Sequence, residues 1–144
     1  MRLGRYLRLS LTLKQLQLRA NQLAALPKGI GDLKALTELD ANSNSLKALP
    51  GEIGELETLN KLDLSRNQLA ALPPEIGSLK GLGTLFLADN KLTALPTEMG
   101  NLLVLQILEL SGNPLTVPPP DVVAEGTQAV LDYLRRLRDQ PPRR

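Results

Sequence analysis

The chain has 144 residues, of which 42% are hydrophobic but only 2% aromatic, and its formal net charge is +2. It contains no Cys and no His, which excludes disulfides and thiolate metal sites and removes the commonest general base and metal ligand. Residues 1–20 carry +5 and residues 131–144 carry +3, so residues 21–130 must carry −6, and the basic character lies only at the two ends.

The N-terminal segment resembles neither a secretory signal nor a membrane anchor. Arginines interrupt its apolar residues, as a signal peptide's apolar core does not allow. No window of the chain approaches the ~18 consecutive apolar residues of a membrane span. We therefore expect a cytoplasmic protein without a membrane span.

Residues 1–12 are predicted to be a degraded N-terminal repeat or cap. Leu3 and Leu7 keep the spacing of the later units, whereas Ser10 stands where a leucine is expected. Charged side chains often keep an exposed sheet edge soluble, and the arginines of this segment could do so. Pairing of this edge with a second molecule is the alternative, so self-association through the edge is left open.

An internal repeat of 23 residues follows, marked by an asparagine and by several columns of leucine. A unit of this length cannot bury its own leucines, so stacking of successive units must cover them. Residues 13–118 are therefore predicted to form five repeats. The asparagines are Asn21, Asn44, Asn67, Asn90 and Asn113. The leucines of one central column are Leu16, Leu39, Leu62, Leu85 and Leu108.

Each unit contains a Leu-x-Leu alternation, which predicts a short strand with one buried face. The asparagine is expected to bond backbone groups of the turn after the strand. A recurring proline then fixes the backbone where the return segment begins. Successive strands are expected to pair in parallel, which gives an α/β solenoid with the strands on a concave face. Ala41 interrupts a leucine column, so we expect looser packing in the second repeat.

After the repeats, residues 119–140 are predicted to form a C-terminal helical cap, followed by a tail at residues 141–144. Apolar residues recur at helical spacing through this segment. Gly126 is expected to divide the helix, and Thr127 to cap its second part. The predicted apolar face consists of Val123, Thr127, Val130, Leu134 and Leu137.

The LxxLxLxxNxL pattern at a 23-residue period resembles the leucine-rich-repeat family. The LPxxI and GxLxxL segments of each unit are similar to the repeats of Ras-group and Roco-type proteins. This resemblance implies a non-enzymatic protein-binding solenoid, as a scaffold or regulator in small-GTPase signalling. The segment that closes the repeats is similar to its counterpart in Roco-type proteins, where a GTPase domain follows. The chain lacks the GxxxxGKS/T phosphate-binding motif, so a repeat domain excised from or related to a Roco-type GTPase is the alternative.

The candidate partner-binding residues lie between the buried leucines of the strands, where side chains point away from the core. Phe86, the only phenylalanine, is expected to form an apolar spot with Ile107, rimmed by acidic groups. The predicted surface consists of Phe86, Ile107, Asp63, Glu109, Asp40 and Lys61. We expect it to bind a basic or amphipathic protein or peptide, with no cofactor, metal or catalytic residue.

The charged residues also allow two other functions, cation binding and attachment to an anionic surface. Asp40 and Asp63 are expected on neighbouring strands, where a weak cation site could form. An open surface offers catalysis no pocket that excludes water. The basic ends could hold nucleic acid or another anionic surface, which predicts a steep loss of affinity with salt. Because Tyr6 and Tyr133 are the only aromatics interleaved with these basic residues, nucleic acid is not the expected partner.

Overall fold

The computed structural model describes residues 12–140, which contain five strands of three residues each in one parallel sheet. The strands stand side by side in chain order, so every connection joins neighbours. The central leucines align across the sheet, as Leu39 does with Leu62, which confirms the predicted α/β solenoid. The strands are β1 (Gln15–Gln17), β2 (Glu38–Asp40), β3 (Lys61–Asp63), β4 (Thr84–Phe86) and β5 (Ile107–Glu109).

Short 3₁₀ helices form the return segment of each of the first four repeats. Each follows a proline with extended backbone, such as Pro73 at φ −69° and ψ 149°, which ends the preceding segment and starts the turn. An apolar side chain at the centre of each helix, such as Ile76, is fully buried. The 3₁₀ helices are Lys28–Asp32, Gly51–Glu55, Pro74–Ser78 and Thr97–Asn101.

The core is a continuous stack of leucines between the sheet and the 3₁₀ helices. Leu39, Leu62 and Leu85 are buried, while Leu16 and Leu108 at the two ends of the row are only partly buried. Each fully buried leucine contributes ~1.5–3 kcal/mol. A repeat therefore depends for its stability on the repeats beside it. Ala41 is also fully buried, and the looser packing of the second repeat stays a prediction.

The asparagine column bonds the turn backbone as predicted. The Asn67 Nδ2 donates to the carbonyls of Ala41 and Leu64, each at 3.0 Å, and its Oδ1 accepts from the Leu46 N–H at 3.0 Å. Asn44 and Asn90 make the equivalent bonds. In the second to fifth repeats, the asparagine amide thus ties its own turn to the repeat before it.

The residue before this asparagine adopts left-handed backbone, a conformation that favours glycine. The fifth repeat has glycine at this position, and the earlier repeats do not. The φ values are 60° at Ser43, 57° at Arg66, 58° at Asp89 and 74° at Gly112. Backbone strain is therefore stored at the non-glycine positions of the column.

Replacing Arg66 with glycine should raise the free energy of unfolding by about 0.5–1 kcal/mol, because removal of Cβ relieves this strain. Urea denaturation measures the change. Arg66→Ala is the control, since it removes the exposed side chain but keeps Cβ, and it should give no gain. A glycine variant no more stable than the alanine variant would contradict the prediction.

The C-terminal segment forms two helices, α1 (Pro120–Ala124) and α2 (Thr127–Asp139), and α2 packs on the last 3₁₀ helix. Val130 and Leu134 are buried as predicted. Leu131, which the predicted face omitted, is also buried, whereas Leu137 is 38% exposed. The difference arises because α2 presents its central turns to the core and its last turn to solvent.

The predicted capping role of Thr127 is wrong. Gly126, at φ +106°, occupies the N-cap position, and Thr127 is the first residue of α2. Its Oγ1 accepts instead from the Leu108 N–H of β5 at 3.1 Å. Gln128 Nε2 donates to the Leu105 carbonyl at 3.0 Å. The start of α2 therefore supplies hydrogen-bond partners to the fifth repeat, as each later repeat does to the repeat before it.

Thr12 is the only residue of the predicted N-terminal unit, residues 1–12, within the described part of the chain, and the tail at 141–144 lies outside it. Edge pairing by the N-terminal unit accordingly stays a prediction. Among the helices of residues 12–140, none has both the length and the apolar character needed to cross a membrane.

Candidate functional site

The face of the sheet turned away from the core, here called the open face, is built from the two residues that flank the central leucine of each strand. Strand register arranges these residues in two rows. The first row is Gln15, Glu38, Lys61, Thr84 and Ile107, and the second is Gln17, Asp40, Asp63, Phe86 and Glu109. All six residues predicted for the candidate surface therefore lie on adjacent positions of one face.

Phe86 is half-buried in the second row, between Asp63 and Glu109 in the strand register. The Lys61 Nζ lies 5.7 Å from the centroid of its ring, within the range of a cation–π interaction. The aromatic ring is thus bordered by two carboxylates and contacted by one ammonium group. A ligand that packs on the ring must either displace Lys61 or bind beside it.

Three exposed apolar side chains lie in the connection that leads into β5 and at the first position of β5. Leu103 is 77% exposed, and Val104 and Ile107 are each 51% exposed. These three residues are called the apolar ridge below. Large apolar side chains that cluster at a surface commonly mark interaction sites. The ridge shares Ile107 with the predicted spot of Phe86 and Ile107, and its other two residues precede β5 in the chain.

Ile107 belongs to the surface predicted from the sequence, whereas Leu103 and Val104 do not. A signal was available in the repeat alignment. The position of Leu103 holds Lys34, Glu57 and Lys80 in the other repeats, and the position of Val104 holds Ala35, Thr58 and Gly81. Departure from a polar or small column towards a large apolar residue is the pattern that would have found them.

Backbone amides hold the carboxylates of the open face. The Asn42 N–H donates to Asp40 Oδ1 at 2.9 Å, and the Ser65 N–H donates to Asp63 Oδ1 at 3.0 Å. The Asn42 Nδ2 also lies 3.3 Å from both Asp63 oxygens. These bonds fix the orientation of the two carboxylates on the open face, where Asp63 is next to Phe86 in the strand register and Asp40 lies one strand further away.

Glu109 is held in the same way but is more exposed. The Ser111 hydroxyl and then the Ser111 backbone N–H, which lies 3.2 Å from Oε1, lower the pKa of Glu109 below its usual value. Glu109 is therefore ionised at neutral pH. Between residues 12 and 140, no three or more Asp and Glu residues are arranged to hold a metal ion.

Two arginines of the basic C-terminal region bond the last 3₁₀ helix, which belongs to the fourth repeat. The Arg135 Nε donates to the Gly100 carbonyl at 3.1 Å and its Nη1 to Asp132 at 2.9 Å. Arg138 pairs with Asp139 at 2.9 Å and also bonds Asn101. These contacts give the two side chains a role in fastening α2.

A family model described as a leucine-rich repeat region matches residues 39–138. A leucine-rich-repeat protein of Leptospira interrogans is similar at 41% identity and a TM-score of 0.77, over 85% of this chain and 30% of that one. No curated protein sequence matches the chain.

Two plant receptor structures are also similar. The peptide hormone receptor RGFR1 in complex with RGF2 is 37% identical, with a TM-score of 0.66 over 72% of this chain and 17% of that one. The Arabidopsis thaliana GASSHO1/SCHENGEN3 ectodomain in complex with CASPARIAN STRIP INTEGRITY FACTOR 2 is 37% identical, with a TM-score of 0.69 over 76% and 14%. The chain thus spans less than a third of each of these three structures.

Proposed function

Because the chain belongs to the leucine-rich-repeat family, we propose that it binds a protein or peptide partner on the open face of its sheet and performs no catalysis. The observation that carries this proposal is the concentration of exposed apolar side chains at and just before the start of β5, the strand that pairs with the strand of Phe86. An aromatic anchor within an apolar patch and a charged rim is the usual composition of a protein hot spot.

The charges of the open face define the partner's chemistry. Asp40, Asp63 and Glu109 lie in the row of Phe86, and only Lys61 of the neighbouring row offsets them near the ring. A segment with an apolar side chain for Phe86 and the ridge, flanked by Lys or Arg, matches this arrangement. The partner is therefore a basic or amphipathic segment of a protein.

The similar plant receptors support a peptide or protein ligand, since both are described in complex with one. A narrower hypothesis is that this chain acts as a cytoplasmic scaffold or regulator in small-GTPase signalling, and its support is the resemblance of its LPxxI repeats to Ras-group repeats. The alternative, a repeat domain of a Roco-type GTPase, predicts that the native reading frame continues beyond Arg144 into a phosphate-binding motif.

Replacing Phe86 with alanine should weaken partner binding about tenfold while the protein keeps its fold. Affinity capture from lysate identifies the partner, and calorimetry with the purified partner measures the change. Leu103→Ser should also weaken binding, because it replaces the most exposed residue of the ridge with a polar one.

Leu137→Ala is the matched control, because it truncates an exposed apolar residue of α2 that lies outside the open face. It should leave the affinity unchanged. Equal affinities of all four proteins for the partner would rule out the open face as the binding surface. If affinity instead falls steeply with salt in every variant, the partner is held by the basic ends and the proposal is wrong.

A further inference from the structure

Three backbone N–H groups in each of the first four repeats donate to the repeat that follows. Their acceptors are the carbonyls of two alternate residues and then the side-chain oxygen of the next asparagine. In the third repeat the bonds join the Leu64 N–H to the Phe86 carbonyl (2.8 Å), the Arg66 N–H to the Ala88 carbonyl (2.8 Å) and the Leu69 N–H to Asn90 Oδ1 (3.0 Å). The same bonds recur in the other three repeats.

The fifth repeat has the same three donors but no repeat to receive them. The donors are the backbone N–H groups of Leu110, Gly112 and Leu115, and within residues 12–140 none of them has a protein acceptor. The cap provides bonds only nearer the start of β5, through Thr127 and Gln128. The outer edge of the fifth repeat is thus bonded to α2 around the start of β5, whereas the donors that follow β5 are left unpaired.

A groove of about 250 Å³ lies at these unpaired donors. Leu110, Gly112 and Leu115 line it on the solenoid side. Pro120, Val123 and Ala124 of the α1 segment line it on the other side. The groove therefore combines a row of backbone donors with an apolar wall. An inorganic anion would require donors that converge on one point, so this arrangement does not suit one.

We propose that this groove binds a segment of a partner protein that runs from a strand into a left-handed turn and carries an asparagine in that turn. The bonds of the first four repeats identify the chemistry of this segment, because the same acceptors recur in each. The pattern is a backbone carbonyl, a second carbonyl two residues later, an asparagine two residues after that, and a leucine after two more. In β2 and its turn these groups belong to Asp40, Asn42, Asn44 and Leu46. The asparagine amide would also donate to the Leu110 carbonyl, as the Asn90 amide donates to the Leu64 carbonyl at 3.0 Å.

A peptide that leaves a strand and enters a left-handed turn fits these donors, as residues 40–46 fit those of the first repeat. The N–H groups of Leu110 and Gly112 are two residues apart, which is the repeat of a strand that adds to a sheet edge. The leucine of the ligand would pack on Val123 and Ala124. This site is separate from the open face, and it does not depend on the function proposed for that face.

The probe is a synthetic peptide that copies residues 62–70 of the chain, with both ends blocked. It contains the full pattern, from Asp63 through Asn67 to Leu69. Titration followed by two-dimensional NMR should show saturable binding at submillimolar concentration, with the largest shifts at the N–H groups of Leu110, Gly112 and Leu115. Their hydrogen exchange should slow when the peptide is bound.

Two changes should each weaken this binding about tenfold. One is Asn67→Ala in the peptide, which removes the side chain that would pair with the Leu115 N–H. The other is Ala124→Trp in the protein, which fills the groove from an exposed position of α1. Ala71→Trp, at an exposed alanine in the third repeat, is the matched control and should leave the affinity unchanged.

Three outcomes would overturn the proposal. The first is no binding at about 1 mM peptide. The second is binding that Ala124→Trp does not weaken, which would place the peptide elsewhere. The third is concentration-dependent dimerisation in sedimentation that Ala124→Trp abolishes, because the occupant would then be a second copy of this chain. Loss of partner binding in Phe86→Ala affects none of these measurements, so the two proposals fail independently.

Discussion

Asn67→Ala is expected to lower the free energy of unfolding by about 3 kcal/mol. The substitution deprives the buried Leu46 N–H of its acceptor, Asn67 Oδ1, and leaves that donor without a partner. It also removes the bonds from Nδ2 to the carbonyls of Ala41 and Leu64. An unsatisfied buried group costs about 1–3 kcal/mol, and each lost bond adds about 1 kcal/mol. Urea denaturation followed by circular dichroism measures the change.

Asn60→Ala provides the comparison, because Asn60 is exposed and its Nδ2 makes one long bond, 3.4 Å, to the Gly81 carbonyl. It should change stability by less than about 0.5 kcal/mol. If the two variants were equally stable, the asparagine column would not be fastening the turns. An asparagine in the ligand of the C-terminal groove would then have no reason to strengthen binding.

Gly77→Ala is expected to destabilise the protein by about 3 kcal/mol or to prevent folding. A Cβ at Gly77 would collide with the carbonyl oxygen of Glu98 in the next repeat, and it would lie 2.9 Å from the Glu98 Cβ. Neither atom is the end of a flexible side chain, so relief requires the 3₁₀ helices of the two repeats to move apart. Overpacking of this kind typically costs about 1–3 kcal/mol and occasionally more. Differential scanning calorimetry reports the loss as a lower Tm.

Gly29→Ala is the control, since it adds the same methyl group to the first 3₁₀ helix. Its Cβ would meet only Asp32 Oδ2, at 3.9 Å. It should be neutral or slightly stabilising, because alanine reduces the entropy of the unfolded chain. A Gly77→Ala protein with a Tm equal to that of Gly29→Ala would show that the recurring glycines do not set the spacing of the return segments.

The sequence allowed the solenoid and its register to be predicted because a single period sets both. Leu39 and Leu62 occupy the same place in consecutive units, and burying one against the other forces the strands into register. The period also placed Phe86 and Asp63 as neighbours on the open face. These features follow from alternation and stacking alone, so no knowledge of other contacts was needed.

The missed features depend on contacts that the period does not describe. Leu103 and Val104 lie in a connection whose path determines their exposure, and alternation within a strand says nothing about that path. Thr127 has the composition of a helix cap, but its hydroxyl accepts from Leu108, which is distant in sequence. The unpaired donors of the fifth repeat became evident only once the bonds of the other four could be compared with them.

The asparagine bonds join residues that are at most 26 positions apart, for example Asn67 to Ala41. Because such links join neighbouring repeats, the chain can close loops of about one repeat at a time on the way to the native state. Folding can then nucleate at any well-packed pair of units and propagate outwards. The second, third and fourth units are covered on both sides, so the transition state is expected to form there and the end units to join last.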